Sequence, residues 1–129
     1  MLLIVDDDPT FLERAQELLR DEGRGIFFAG NAEHARELMG TVGDGFSVVM
    51  IDLDLPGQDG FSLISEMRRQ FPDLPVIAIS GVFQKHVLES AKLLGAADTL
   101  EKPIGPEWTS TIARVRAGAA QAEPGETLP

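Results

Sequence analysis

The stretch "SVVMIDLDLPGQDG", Ser47 to Gly60, decides how the chain is read. Its first half, "SVVMI", is short, apolar and rich in β-branched residues, which suits a buried strand better than a helix. Two aspartates, Asp52 and Asp54, then follow just before a Pro-Gly turn. From about Gly60 to Gln70 the apolar residues Phe61, Leu63, Ile64 and Met67 recur at helical spacing. Strand, turn and helix in that order make one βα unit, and the unit ends its strand on carboxylates.

Outward from this unit the same alternation recurs, giving five strand-helix pairs in all and predicting an α/β fold around a parallel sheet. "LLIVD" (Leu2 to Asp6) is apolar at successive positions, so both faces of that strand call for cover. Pro9 to Asp21 reads as a helix, with the apolar residues Phe11, Leu12, Ala15, Leu18 and Leu19 recurring at helical spacing. Asp8 is its N-cap, Pro9 its first residue, and Gly23 lies beyond its end. "GIFFA" (Gly25 to Ala29) is the second strand. Asn31 caps a second helix that buries Ala32, Ala35, Leu38 and Met39. After the third unit, "FPDLP" (Phe71 to Pro75) breaks the chain before the fourth strand, "VIAIS" (Val76 to Ser80). Phe83, Val87, Leu88, Ala91 and Leu94 mark the fourth helix, stopped by Gly95. "DTLEK" (Asp98 to Lys102) is the fifth strand, and Pro106 to about Ala117 the last helix, with Trp108, Ile112 and Val115 inward. Residues 118–129, "GAAQAEPGETLP", read as a flexible tail with no output domain after it.

Composition narrows the function. A chain of 129 residues supports one globular domain, burying roughly two-thirds of its unfolded surface. Its formal charge of −10 opposes binding to nucleic acid or to an anionic membrane. With no cysteine there is no disulfide, thiolate nucleophile or thiolate metal site. The apolar start, Met1 to Val5, is cut off by three aspartates and is too short for a signal peptide or a membrane span, so a cytoplasmic protein is expected.

In an open parallel sheet the loops leaving the C-terminal ends of the strands share one edge. Asp6 and Asp7 end the first strand, Asp52 and Asp54 follow the third, Ser80 ends the fourth and Lys102 the fifth. Two carboxylates about 4 Å apart repel by roughly 4 kcal/mol at a surface-like dielectric, so such a cluster requires a counter-ion or protons. An all-oxygen donor set suits Mg²⁺, which keeps several waters and accepts a phosphoryl oxygen. A carboxylate nucleophile, a lysine and a hydroxyl beside that ion make a phosphoryl-transfer site, with Asp52 as nucleophile because its strand is the central one and its flank, "VVMI", the most buried.

"LLIVDDD" (Leu2 to Asp8), "IDLDLPGQDG", "VIAIS" and "EKP" (Glu101 to Pro103), in this order and spacing, resemble the signature segments of the response-regulator receiver domain over about residues 1–117. The resemblance implies a doubly wound, flavodoxin-like (βα)5 fold with strand order 2-1-3-4-5. It implies that Asp52 accepts a phosphoryl group from a histidine kinase or a histidine phosphotransfer protein. Asp6, Asp7, Asp52 and the backbone carbonyl of Asp54 would hold Mg²⁺, while Ser80 and Lys102 would bind the phosphoryl oxygens. A cis peptide between Lys102 and Pro103 is common in the family. Downstream proteins, and a dimer formed on phosphorylation, would use the face of the fourth helix, fifth strand and fifth helix. Two positions depart from the pattern. Thr99 stands where the family usually has an aromatic switch residue, so signal transmission takes another route or the protein acts as a relay or sink. Asp54 adds a carboxylate at a position that influences how fast the acyl phosphate hydrolyses.

Asp-x-Asp after an apolar strand also resembles haloacid-dehalogenase-like phosphatases, with Asp52 as nucleophile and Asp54 as general acid. Against that stand the third rather than first strand, the missing Thr or Val after Asp54, and a chain too short for a cap domain. A flavodoxin-like nucleotide site is disfavoured by "DDDP" in the first loop, which offers carboxylates where phosphate needs N–H donors. Asp59 and Gly60 read as turn residues, His34 and His86 as solvated, and Arg68 and Arg69 as a solvated helix end. Trp108 reads as packing.

Overall fold

The computed structural model describes residues 1–19, 25–55, 60–81 and 85–121. The elements run β1 (Leu2–Val5), α1 (Pro9–Leu18), β2 (Ile26–Ala29), α2 (Ala32–Val42), β3 (Val48–Asp52), α3 (Gly60–Gln70), β4 (Val76–Ser80), α4 (Lys85–Leu93), β5 (Asp98–Glu101) and α5 (Glu107–Gln121). A short 3-10 turn, Gly43–Gly45, follows α2. Gly23, the Pro56-Gly57 turn, Asp59, Phe83 and residues 122–129 lie outside the described residues, as do the side chains of His86 and Leu88.

All four strand pairings are parallel, in the order β2-β1-β3-β4-β5. This is the expected flavodoxin-like arrangement, with β3 in the centre. Because side chains alternate across a strand, the apolar runs split between two layers. Leu3, Val5, Val49, Ile51, Val76 and Ala78 face α2, α3 and α4, where Ala35, Leu63, Ile64, Met67 and Ala91 meet them. Leu2, Ile4, Val48, Met50, Ile77 and Ile79 face α1 and α5, against Phe11, Ala15, Trp108 and Ile112. Every residue of β1, β3 and β4 is buried, which is why those runs show no polar alternation.

The expected caps form. Asp8 accepts from the N–H groups of Thr10 at 3.0 Å and Phe11 at 3.4 Å, and Asn31 from that of His34 at 2.8 Å. Element ends differ in places. The second strand begins at Ile26, because Gly25 adopts φ +107°, outside the β region. Helix α1 ends at Leu18 rather than near Asp21, and β5 ends at Glu101, leaving Lys102 just beyond it. Helix α5 passes the expected stop near Ala117 and reaches Gln121. One glycine costs a helix about 1 kcal/mol, and the alanines around Gly118 offset it.

Arg68 is not merely a solvated helix end. Its Nη1 donates to the carbonyls of Pro72 at 2.9 Å and Leu74 at 3.0 Å, tying the end of α3 to the connection into β4. Its aliphatic stem lies against Gly95, where an added Cβ would come within 2.7 Å of Arg68 Cγ. Trp108, by contrast, packs as expected, fully buried and next to Phe11. Among the described residues no helix is long and apolar enough to cross a membrane.

Candidate functional site

The sheet brings its chemistry to one edge by carrying the ladder slightly past the strands. Asp6 N–H donates to Ala29 O at 2.9 Å, Leu53 N–H to Ile79 O at 2.9 Å and Lys102 N–H to Ser80 O at 2.8 Å. These bonds fix where Asp6, Asp52, Ser80 and Lys102 emerge. Asp6 is wholly buried, and Asp52 and Ser80 are each 3% exposed. Asp7 is exposed.

Asp6 Oδ1 accepts the N–H of Asp8 at 2.9 Å, and Asp52 Oδ1 that of Asp54 at 3.1 Å. The outer oxygens turn toward Lys102, whose Nζ is 2.6 Å from Asp6 Oδ2 and 3.6 Å from Asp52 Oδ2. No donor is aligned for a hydrogen bond on Asp6 Oδ2 among the described residues, so the lysine meets it as an ion pair. One carboxylate oxygen each from Asp6, Asp7 and Asp52 lie within 4.8 Å of one another. An all-oxygen trio with a buried, incompletely satisfied carboxylate fits a hard divalent cation such as Mg²⁺.

The charge balance shows in the protonation equilibria. Burial pushes the Asp52 carboxyl up to about 6, opposed by the Asp54 N–H bond and the Lys102 charge and reinforced by the charges of Asp6 and Asp54. For Lys102, burial alone would favour the neutral amine, yet the contact with Asp6 and the charges of Asp52, Asp6 and Asp8 hold its pKa above the ordinary lysine value.

The family model described as "Response regulator receiver domain" matches residues 2–114. The chain belongs to the receiver family. Among its relatives, the transcriptional regulatory protein AruR of Pseudomonas aeruginosa is 34% identical over 95% of this chain, which spans 53% of AruR. This chain thus corresponds to about half of that regulator. The crystal structure of the receiver domain of NtrX from Brucella abortus superposes with a TM-score of 0.79 at 30% identity, covering 95% of this chain and all of that one. A response regulator from Burkholderia pseudomallei, crystallised with a phosphorylated aspartic acid, calcium ion and citrate, superposes with a TM-score of 0.76 at 27% identity, over 93% of this chain and 68% of its own.

The strand-end cluster brings Asp6, Asp7, Asp52 and Lys102 together, with Ser80 at the end of the strand beside β3. The carboxylate of Asp54 is exposed and outside the trio, so any share it has in holding a metal belongs to its backbone carbonyl. The peptide between Lys102 and Pro103 is cis. Thr99 is half-buried within β5, opposite Ala78.

Gly60 is a correction. It opens α3, as the helical spacing placed it, and is more than the simple turn residue it reads as beside Asp59: its N–H donates to Leu53 O at 3.2 Å. A Cβ there would lie 2.2 Å from the carbonyl oxygen of Asp52 and 2.6 Å from Leu53 Cα. The D-G pair in "GQDG" was a visible turn signal, but the close approach to the Asp52 backbone depends on how α3 packs on β3.

The raised Asp52 pKa has a stability consequence for the metal-free receiver. Above about pH 6 the native state carries an ionised, buried carboxylate that the unfolded chain, titrating near 3.8, ionises without penalty. Stability therefore rises as the pH falls from about 6 toward about 4, by on the order of 2 kcal/mol from this group. Urea unfolding in chelator across that window should show the rise, and Asp52→Asn should flatten it; equal slopes in both proteins would assign the effect elsewhere.

Proposed function

We propose that this receiver takes a phosphoryl group from the phosphohistidine of a histidine kinase or a histidine phosphotransfer protein onto Asp52, in the cytoplasm, and changes its binding partners as a result. The observation that carries the reading is the buried Asp52 carboxylate, within a trio of carboxylates and 3.6 Å from the Lys102 ammonium.

An Asp52 oxygen attacks phosphorus, the P–N bond breaks, and its electron pair goes to the histidine ring nitrogen. The ionised carboxylate is the nucleophile, and the Asp54 N–H and Lys102 hold it ionised against the cost of burial. Lys102 faces the charge that develops on the phosphoryl oxygens, in a water-poor setting where such contacts count most. Ser80 supplies a hydroxyl at the end of the neighbouring strand. Asp6, Asp7, Asp52 and the Asp54 carbonyl would hold Mg²⁺, which when bound neutralises phosphoryl charge. The phosphatase alternative needs Asp54 to act as an acid toward the phosphate, and its exposed carboxylate outside the trio does not favour that role. The transmitted signal would reach the face made by α4, β5 and α5 without an aromatic at position 99.

Intact-mass spectrometry after incubation with acetyl phosphate tests this. The native chain should gain one phosphoryl group, only with Mg²⁺ present, and Asp52→Asn should gain none. A label that persists in Asp52→Asn would move the acceptor to another residue, and steady release of phosphate from many equivalents of an ester would favour the phosphatase.

A further inference from the structure

Lys102 is held by more than its carboxylates. Its Nζ stands 4.5 Å from the centroid of the Phe11 ring. That ring is 5.6 Å from the Trp108 ring, tilted at 54°. Phe11 lies in the first turn of α1, anchored by the Asp8 cap, and Trp108 in the first turn of α5. Both helices cover the same face of the sheet, so the pair forms one aromatic block directly beneath the strand-end site.

A lysine stem is flexible and sets no direction for its ammonium. Asp6 at 2.6 Å draws it more closely than Asp52 at 3.6 Å, and with these two contacts alone the ammonium would be free to swing around the Asp6 carboxylate. The ring face supplies a third point of attraction through its quadrupole, which acts best on a cation partly removed from water. The Lys102 side chain is 18% exposed, which meets that condition.

We propose that Phe11, braced by Trp108, is a positioning residue for phosphoryl transfer, its ring face holding the Lys102 ammonium between Asp6 and Asp52. This rests on the reading of Asp52 as the acceptor. Periodicity marks Phe11 only as a core position of α1, which its 6% exposure bears out. Its apolar volume serves the core, whereas its π face serves the site.

Volume and π face are separated by replacing Phe11 with mono-, di- and trifluorinated phenylalanine, which weakens the ring's negative face at nearly constant size. With acetyl phosphate and Mg²⁺ in excess, the maximal rate of Asp52 labelling should fall stepwise along the series, by about three- to tenfold at its end. Phe11→Tyr should keep most of the rate, and Phe11→Leu, which keeps apolar bulk, should lose as much as the trifluorinated protein. The fluorinated series decides the matter even where Phe11→Leu fails to fold. Normal labelling at an unchanged rate across the series overturns the role of the ring and leaves the acceptor standing. Absence of label on Asp52 of the native chain overturns both.

Discussion

Lys102→Met is expected to destabilise the metal-free protein by about 3 kcal/mol, because removing one partner of a buried ion pair leaves the other charge uncompensated. The charges left are Asp6, whose side chain is wholly buried, and Asp52, 5% exposed. Methionine keeps most of the stem volume over Phe11, so the loss reports charge rather than packing. The consequence is specific: Mg²⁺ should stabilise the variant by more than it stabilises the native chain, since a cation held by the trio takes over the neutralisation that the ammonium supplied. Urea unfolding of both proteins, in chelator and in millimolar Mg²⁺, measures this directly. The variant should also label with acetyl phosphate about a hundredfold more slowly, the usual consequence of removing one donor aimed at developing charge. Equal stability of the two proteins in chelator would show that the carboxylates tolerate one another without the lysine.

Gly60→Ala should be nearly as damaging for an entirely different reason. The new methyl would sit 2.2 Å from Asp52 O, 2.6 Å from Leu53 Cα and 2.9 Å from Asp52 C, all backbone atoms that no rotamer change can move away. Either α3 lifts from β3, or the backbone of Asp52 shifts. We expect a loss of about 3 kcal/mol, at the upper end of overpacking costs, together with slower labelling of Asp52. Gly40→Ala is the matched control. Gly40 lies within α2 with nothing inside 4 Å of an added Cβ, so the same change there should stabilise by about 0.5 to 1 kcal/mol. Comparable losses at both positions would mean that the clash at Gly60 is relieved cheaply.

These two residues also mark the limits of what could be read from the chain. Lys102 was legible because its place at the end of the expected fifth strand brings it to the same sheet edge as the strand-end aspartates. Asp6, Asp7 and Asp52 were legible for the same reason. Gly60 was not, since a glycine beside Asp59 is also what an ordinary turn requires, and the reason for it lies in a backbone contact between two elements. Arg68 was missed in a similar way. Its carbonyl partners at Pro72 and Leu74 are near in sequence, but the stem's contact with Gly95 comes from α3 packing beside the end of α4. Phe11 was placed correctly in the core, and its ring contact with Lys102 had no signal in the periodicity of α1.

The sequence by itself determined the order of strands and helices, the two-layered burial and the set of residues at the sheet edge. Those properties follow from local periodicity, from caps and turns, and from the constraint that parallel strands deliver their C-terminal ends to one side. Tertiary structure alone decided that Asp6 rather than Asp52 is the closer partner of Lys102, that the Asp54 carboxylate stays outside the trio, and that Phe11, tilted against Trp108, lies beneath the ammonium. Such choices depend on distances between elements remote in the chain, where differences of an ångström set the electrostatics and no pattern along the sequence records them.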